Sequence, residues 1–222
     1  HSENLGTADL SADGRLAVVV DENAARLWDF GTGRMIAVFP KPVGQWLGAR
    51  FSPDGSRLWT CGWAHPLEEM VLERKDGAPR VGHVRKLSDT QGDLIRAVSD
   101  DGSRLVLSNN STGHFTVVDP ARMTMLRLPH AGTLATAISP DGKWLLTSSY
   151  QKPGVKVWSL PDGTHKATLL EQQSVIQIQA LGEREFLLRT SDSTHVFQSG
   201  TWRQERELNL PKPVNSMTSS RK

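Results

Sequence analysis

The sequence predicts an all-β fold built from repeated units of four short antiparallel strands. Two observations support this prediction. Asp-Gly pairs begin at positions 13, 54, 101 and 141, at spacings of 41, 47 and 40 residues, and an apolar run of strand length follows each pair. No segment has apolar residues recurring every 3.6 positions between helix caps, so we expect no helix.

The first and second strands of each unit are joined by a recurring turn. Its four copies, residues 10–14, 51–55, 98–102 and 138–142, each read as an apolar residue, serine, one variable residue, aspartate and glycine. The aspartate side chain can bond its own backbone, and glycine accepts a positive φ. A fifth, degenerate copy aligns 186–188 with 144–146, but Arg184 replaces the turn glycine. That turn must therefore differ.

A third and a fourth strand complete each unit. The third strands are residues 25–28, 69–72, 115–118, 155–158 and 194–197, and a more polar strand such as 35–39 or 164–170 follows a second turn. Four short strands per repeat of about 40 residues are typical of a β-propeller blade. The sequence thus predicts one domain, residues 3–217, with five visible blades at approximately 4–40, 44–87, 92–129, 132–171 and 174–211.

Several of these motifs resemble the blades of WD-repeat propellers. The resemblance rests on Leu27-Trp28-Asp29, Val157-Trp158-Ser159 and the Ser-Pro-Asp-Gly turns, and it covers residues 5–210. Trp28-Asp29 is the single true Trp-Asp pair, and His130 lacks the glycine that precedes the family's structural histidine. The repeats are also similar to the WD-like repeats of bacterial periplasmic proteins. The resemblance implies a scaffold that binds proteins.

The five visible blades do not form a closed ring in an obvious way. Residues 212–222 are expected to begin a further strand or to form a tail, and residues 1–2 are expected to be a tag remnant. We expect the chain to be part of a larger propeller. Two alternatives are a closed ring of five blades and the association of two copies through their open edges.

Composition and charge exclude several classes of partner and site. Lysine and arginine number 26 against 24 acidic residues, a net charge of +2, so neither a nucleic acid nor a membrane surface is the expected partner, although a local patch could lie within this balance. The longest apolar run, residues 16–20, is too short to span a bilayer. A single cysteine, Cys61, excludes an internal disulfide and fits the cytoplasm, with a bacterial periplasm as the alternative.

No pattern in the chain predicts catalysis. The seven histidines are scattered without the spacing of zinc ligands, and neither a nucleophile elbow nor a phosphate-binding glycine loop is present. We therefore predict no catalytic residue, no metal and no cofactor. The alternative is a propeller attached to, or gating, a hydrolase whose catalytic domain lies outside this chain.

The candidate binding residues lie in the loops opposite the Asp-Gly turns. These loops include residues 62–68, 109–113 and 150–154, and exposed aromatic residues beside polar loops are typical of binding surfaces. The candidates are Trp63, His65, His130, Tyr150 and Lys152. The predicted function is a non-enzymatic module that binds a protein or peptide partner.

Overall fold

A computed structural model describes residues 8–21, 24–40, 46–62, 65–89, 94–109 and 114–209. These residues form twenty strands in five four-stranded antiparallel sheets. The described part of the chain contains no helix, and therefore none with the length and apolar character needed to cross a membrane. The predictions of an all-β chain and of four-stranded units are confirmed.

The strands follow one another in chain order within every sheet. Sheet 1 contains β1 (Ala8–Leu10), β2 (Leu16–Val20), β3 (Ala24–Asp29) and β4 (Arg34–Pro40). Sheet 2 contains β5 (Trp46–Phe51), β6 (Arg57–Gly62), β7 (His65–Lys75) and β8 (Ala78–Ser88). Sheet 3 contains β9 (Leu94–Val98), β10 (Leu105–Asn109), β11 (His114–Asp119) and β12 (Thr124–Pro129). Sheet 4 contains β13 (Thr133–Ile138), β14 (Trp144–Ser149), β15 (Val155–Ser159) and β16 (His165–Leu169), and sheet 5 contains β17 (Gln177–Leu181), β18 (Glu185–Arg189), β19 (Ser193–Gln198) and β20 (Gln204–Asn209).

The recurring turns share one hydrogen-bond pattern. Ser52 Oγ donates to Asp54 Oδ1 at 2.5 Å and accepts the backbone N–H of Arg57, while Asp54 accepts the backbone N–H of Ser56. The bond from Ser52 and the backbone bond lower the pKa of Asp54. The matching serine–aspartate bonds, Ser11 to Asp13, Ser99 to Asp101 and Ser139 to Asp141, are 2.6–2.7 Å long. The sequence repeat is therefore a repeat of turn chemistry.

The turn between β17 and β18 is built differently, as its sequence predicts. Leu181 pairs directly with Glu185, so only three residues form the turn. Gly182 has a positive φ, 54°, as does the glycine of the Asp-Gly pair in each of the other four turns. The glycine has thus moved to the start of the turn, which explains why Arg184 is tolerated at its end.

Consecutive sheets pack face to face, and the first strands of neighbouring sheets lie against one another. Each interface holds an apolar cluster. Between sheets 2 and 3, for example, fully buried Trp59 packs with Leu105 and Leu107. Between sheets 3 and 4, Phe115 packs with Leu145 and Trp158. Sheets 2, 3 and 4 therefore pack apolar side chains on both of their faces.

Sheet 1 has one largely apolar face that no other described sheet covers. Cross-strand pairing places Leu10, Ala17, Trp28 and Met35, together with the charged Arg26, on this face, opposite to the side that packs on sheet 2. Leu10 and Met35 keep 54% and 50% of their surface exposed, and the neighbouring Val38 is also exposed. An exposed apolar area of this kind is unusual on a monomer.

Candidate functional site

The two ends of the sheets differ in character. At one end, here called the turn face, the Ser-Asp turns are bonded to the turns between third and fourth strands, as in the bond from Leu160 N–H to the carbonyl of Lys143, 2.7 Å. The opposite end, the loop face, carries the loops from second to third strands and the connections between sheets. It is described most completely at residues 130–132, 150–154, 170–176 and 190–192.

Three of these loops are tied into one platform. The backbone N–H of Tyr150 donates to the carbonyl of Gly132 at 2.9 Å, and Ser149 Oγ donates to the carbonyl of Ala131 at 2.7 Å. On the other side, Gly154 N–H donates to the carbonyl of Gln173 at 2.9 Å. The loop 150–154 is therefore held between its neighbours by backbone bonds, which leaves its side chains free to contact a partner.

Gly132 is required for this close approach. Its φ is 72°, and a Cβ built there would lie 2.6 Å from Cγ of Gln151 and 2.8 Å from Oγ of Ser149. Only glycine avoids both the positive-φ penalty and the collision. The sequence thus encodes the platform through a residue that makes no side-chain contact itself.

Three large side chains stand exposed on this platform or beside it. Tyr150 is 64% exposed, Ile176 is 47% exposed and Leu134 is 38% exposed. Leu134 and Ile176 lie near the beginnings of neighbouring first strands, β13 and β17, which contact each other. One aromatic and two aliphatic side chains therefore share the loop face of sheets 4 and 5, next to polar backbone and the exposed Lys152.

The five candidate residues taken from the sequence differ in their exposure in the structure. Tyr150 and Lys152 lie in one exposed loop, as expected. His65 and His130 are buried, with 8% and 7% of their surface exposed, so neither imidazole offers a contact surface to a partner. Trp63 lies outside the described residues.

His130 has a structural role between sheets 3 and 4. The Thr147 hydroxyl lies 2.6 Å from His130 Nδ1 and accepts the indole N–H of Trp158 at 2.9 Å. Burial, reinforced by the charges of Lys156, His165 and Lys152, lowers the pKa of His130 to about 4. His130 therefore stabilises the interface between sheets 3 and 4 and does not form part of an exposed binding surface.

His65 is the first residue of β7 and faces the interior. Its Nε2 lies 3.3 Å from Glu68 Oε2. Burial lowers the pKa of His65, and the Glu68 carboxylate offsets this only in part. Its expected place in the loop 62–68 suggested exposure, but β7 already begins at His65, four residues before the predicted third strand, and the ring is buried.

Two buried polar groups were missed at the sequence level. Glu69 is 2% exposed, accepts the indole N–H of Trp59 at 3.0 Å and pairs with Arg85 Nε at 2.7 Å. Arg85 also donates to the carbonyl of Pro120 at 2.9 Å, which links sheet 2 to sheet 3. The available signal was the pair Glu68-Glu69 before an apolar run, but it did not show which carboxylate pointed inward.

The second group joins a hydroxyl, an imidazole and a carboxylate. Ser193 Oγ lies 2.7 Å from His195 Nε2, and His195 Nδ1 lies 3.8 Å from Glu207 Oε2. Such connectivity is shared with nucleophilic triads. However, Ser193 and His195 are buried, and the Ser193 hydroxyl is also 3.2 Å from that of Thr190. This set holds the turn between β18 and β19 and gives a substrate no approach to the serine.

Among the described residues, no group of three or more histidine, cysteine or acidic side chains could hold a metal ion. No protein-family model matches the sequence, and no curated protein is significantly similar to it. The resemblance of the turns and of Trp28-Asp29 to WD-repeat blades therefore stays a prediction. What the site offers chemically is a rigid, partly apolar, partly basic surface.

Proposed function

We propose that the five sheets are blades of a β-propeller and that the chain is a non-enzymatic module binding a protein partner on its loop face. The propeller is supported by the sequential packing of first strand against first strand and by the shared turn chemistry. The binding role rests on one observation: Tyr150 is exposed on a loop that backbone bonds hold in place on both sides.

A rigid platform favours binding for a physical reason. Aromatic side chains contribute large contact areas and lose little conformational entropy, and a loop that is already ordered does not have to be ordered by the partner. Tyr150, Leu134 and Ile176 supply apolar contact, while the carbonyl and amide groups of the surrounding loops supply hydrogen bonds.

Photo-crosslinking tests which face binds. A benzoylphenylalanine placed at Tyr150 is compared with one placed at Thr201, which is exposed on the turn face. After irradiation in extract of the source cell, adducts are identified by mass spectrometry. We expect a specific protein adduct from position 150. That protein should be absent from the adducts formed at position 201. Equal labelling from both positions would count against a dedicated loop face.

The uncovered face of sheet 1 leads to a separate expectation, self-association. In sheets 3 and 4 the positions that match Trp28, namely Val118 and Trp158, are buried by the preceding sheet. We expect a second copy to contribute its own sheet 1, because the apolar residues Leu10, Trp28 and Met35 of the two copies would then face each other. Two four-stranded faces bury about 1,000 Å² in total, the size of a weak interface.

Light scattering coupled to size exclusion measures this association. The average mass should rise with protein concentration and return to that of a monomer in Met35→Lys, because the lysine places a charge in the apolar contact. Met123→Lys is the matched control, since Met123 is 51% exposed in a turn of sheet 3. A monomer at every concentration, or an equal effect of the two variants, would refute pairing through sheet 1.

A further inference from the structure

The near-neutral charge of the chain conceals a basic region. Residues 120–161 contain five lysines and arginines and one acidic residue, a formal charge of +4, whereas the whole chain carries +2. The single acid, Asp141, lies on the turn face, where Lys143 Nζ is 3.0 Å from its carboxylate. Arg122 is likewise paired, with Asp119 at 2.9 Å. The loop-face end of this region therefore holds basic groups that these acids do not neutralise.

Two basic groups lie beside one indole ring. Lys156 Nζ lies 5.5 Å from the centre of the Trp158 ring, and the His165 ring centre lies 5.4 Å from it. His130, which also packs against Trp158, has its pKa lowered by the charges of Lys156, His165 and Lys152. Lys152, Lys156 and His165 are together called the basic cluster.

Within the described residues, no carboxylate lies within ion-pair distance of Lys152, Lys156 or His165. The Lys156 ammonium lies over the face of Trp158, a contact that leaves it able to accept an anion. Glu171 is an acid of the same platform, and its Cα lies beside Gly154. Lysines that no acid neutralises attract an anion.

We propose that the basic cluster binds an acidic peptide segment of the partner, with Tyr150 packing on an apolar residue of the same segment. This inference rests on the proposed function, because it assigns a chemistry to the partner of the same loop face. Lys152 and Tyr150 lie in one loop, so a carboxylate and an apolar side chain close together in a peptide can reach both.

A peptide fits the cluster better than a nucleic acid does. Binding a nucleic-acid backbone through charge relies on lysines and arginines that neutralise its phosphates. The cluster offers three basic groups, one of them a histidine, and the exposed aliphatic side chains of Leu134 and Ile176 lie on the same face. Charged groups beside exposed apolar residues are typical of protein interfaces.

Fluorescence anisotropy tests the proposal on the intact chain. The probes are a fluorescein-labelled peptide in which glutamate alternates with leucine and serine, the same peptide with glutamine for glutamate, and a single-stranded oligothymidine of equal length. We expect binding of the acidic peptide, weakening with salt, and little binding of the other two. Lys152→Gln with Lys156→Gln should weaken binding about tenfold, since each lost pair is worth about 0.7 kcal/mol.

The chain supplies matched controls for charge. Arg127→Gln removes one exposed positive charge from the side of sheet 3 that faces sheet 2, and it should change the affinity by less than about twofold. Glu171→Gln removes the negative charge beside the loop and should strengthen binding. Absence of acidic-peptide binding, an equal loss in Arg127→Gln, or tighter binding of the oligothymidine would overturn the proposal.

The outcome also separates this inference from the proposed function. If crosslinking from position 150 captures a partner and the Lys152→Gln, Lys156→Gln variant captures it equally well, the acidic-peptide inference is wrong and the loop-face function stands. If position 150 labels no partner, the proposed function fails and the inference that rests on it fails with it, whether or not the acidic peptide binds.

Discussion

Replacing Arg85 by methionine is expected to lower the free energy of unfolding by about 3 kcal/mol. The substitution leaves the Glu69 carboxylate, 2% exposed, with only the indole N–H of Trp59 and a distant Arg57 at 3.9 Å. It also removes the bond to Pro120 that joins sheets 2 and 3. Because the Arg85 side chain is itself one-third exposed, the loss should fall at the lower end of the range for broken buried pairs.

Arg80→Met is the matched control, three ladder pairs further along the same hairpin. Arg80 pairs with Glu73 at 2.6 Å, but the two side chains are 53% and 41% exposed. Such exposed pairs contribute no more than about 1 kcal/mol. Urea unfolding of both variants gives the comparison, and adding Glu69→Gln to Arg85→Met should recover part of the loss. Equal destabilisation by Arg80→Met and Arg85→Met would contradict the buried-carboxylate explanation.

The second large effect concerns pH. The pKa of His130 falls from 6.5 to about 4 on folding, so between these values the unfolded chain binds a proton that the folded protein does not. Stability from this residue is therefore constant above about pH 6.5, falls as the pH decreases towards 4, and is constant again below. The total loss is at most about 3 kcal/mol.

A comparison of the unsubstituted chain with the His130→Gln variant isolates the contribution of His130 to the pH dependence of stability. His130→Gln keeps a polar group opposite Thr147 but cannot titrate, so its unfolding free energy should change less between pH 6.5 and 4 than that of the unsubstituted chain. His65, whose pKa is also lowered, contributes equally to both curves and cancels. His83→Gln, at an exposed histidine of sheet 2, is the control. Parallel curves for the unsubstituted chain and His130→Gln would show that His130 is not held neutral.

The parts of the fold that were predictable from sequence depend on local chemistry. The Ser-x-Asp-Gly turns specify their own hydrogen bonds within five residues, so the sequence places them accurately. The exposure of Tyr150 and Lys152 was likewise predictable, because proline and glycine confine this segment to a surface loop. In sheet 2 the sequence predicts a short third strand at 69–72, whereas β7 and β8 each span eleven residues.

The parts that were not predictable depend on contacts between sheets. His130 and His65 lie at loop ends, where the sequence does not distinguish exposure from burial, and packing beside Phe115 and Trp158 decides the position of His130. The orientation of Glu69 depends on Arg85, a strand away. The basic cluster is similar: its charges are visible in the sequence, but their gathering around Trp158 requires the pairing of β15 with β16.

The most direct test of the binding surface is a comparison of three crosslinking positions, one on each candidate surface. Benzoylphenylalanine at Tyr150 reports on the loop face, at Thr201 on the turn face and at Met35 on the free face of sheet 1. We expect a partner adduct from position 150, a second copy of this chain from position 35, and neither from position 201. A partner adduct that forms from position 35 or 201 and not from position 150 would contradict the assignment of the loop face as the binding surface.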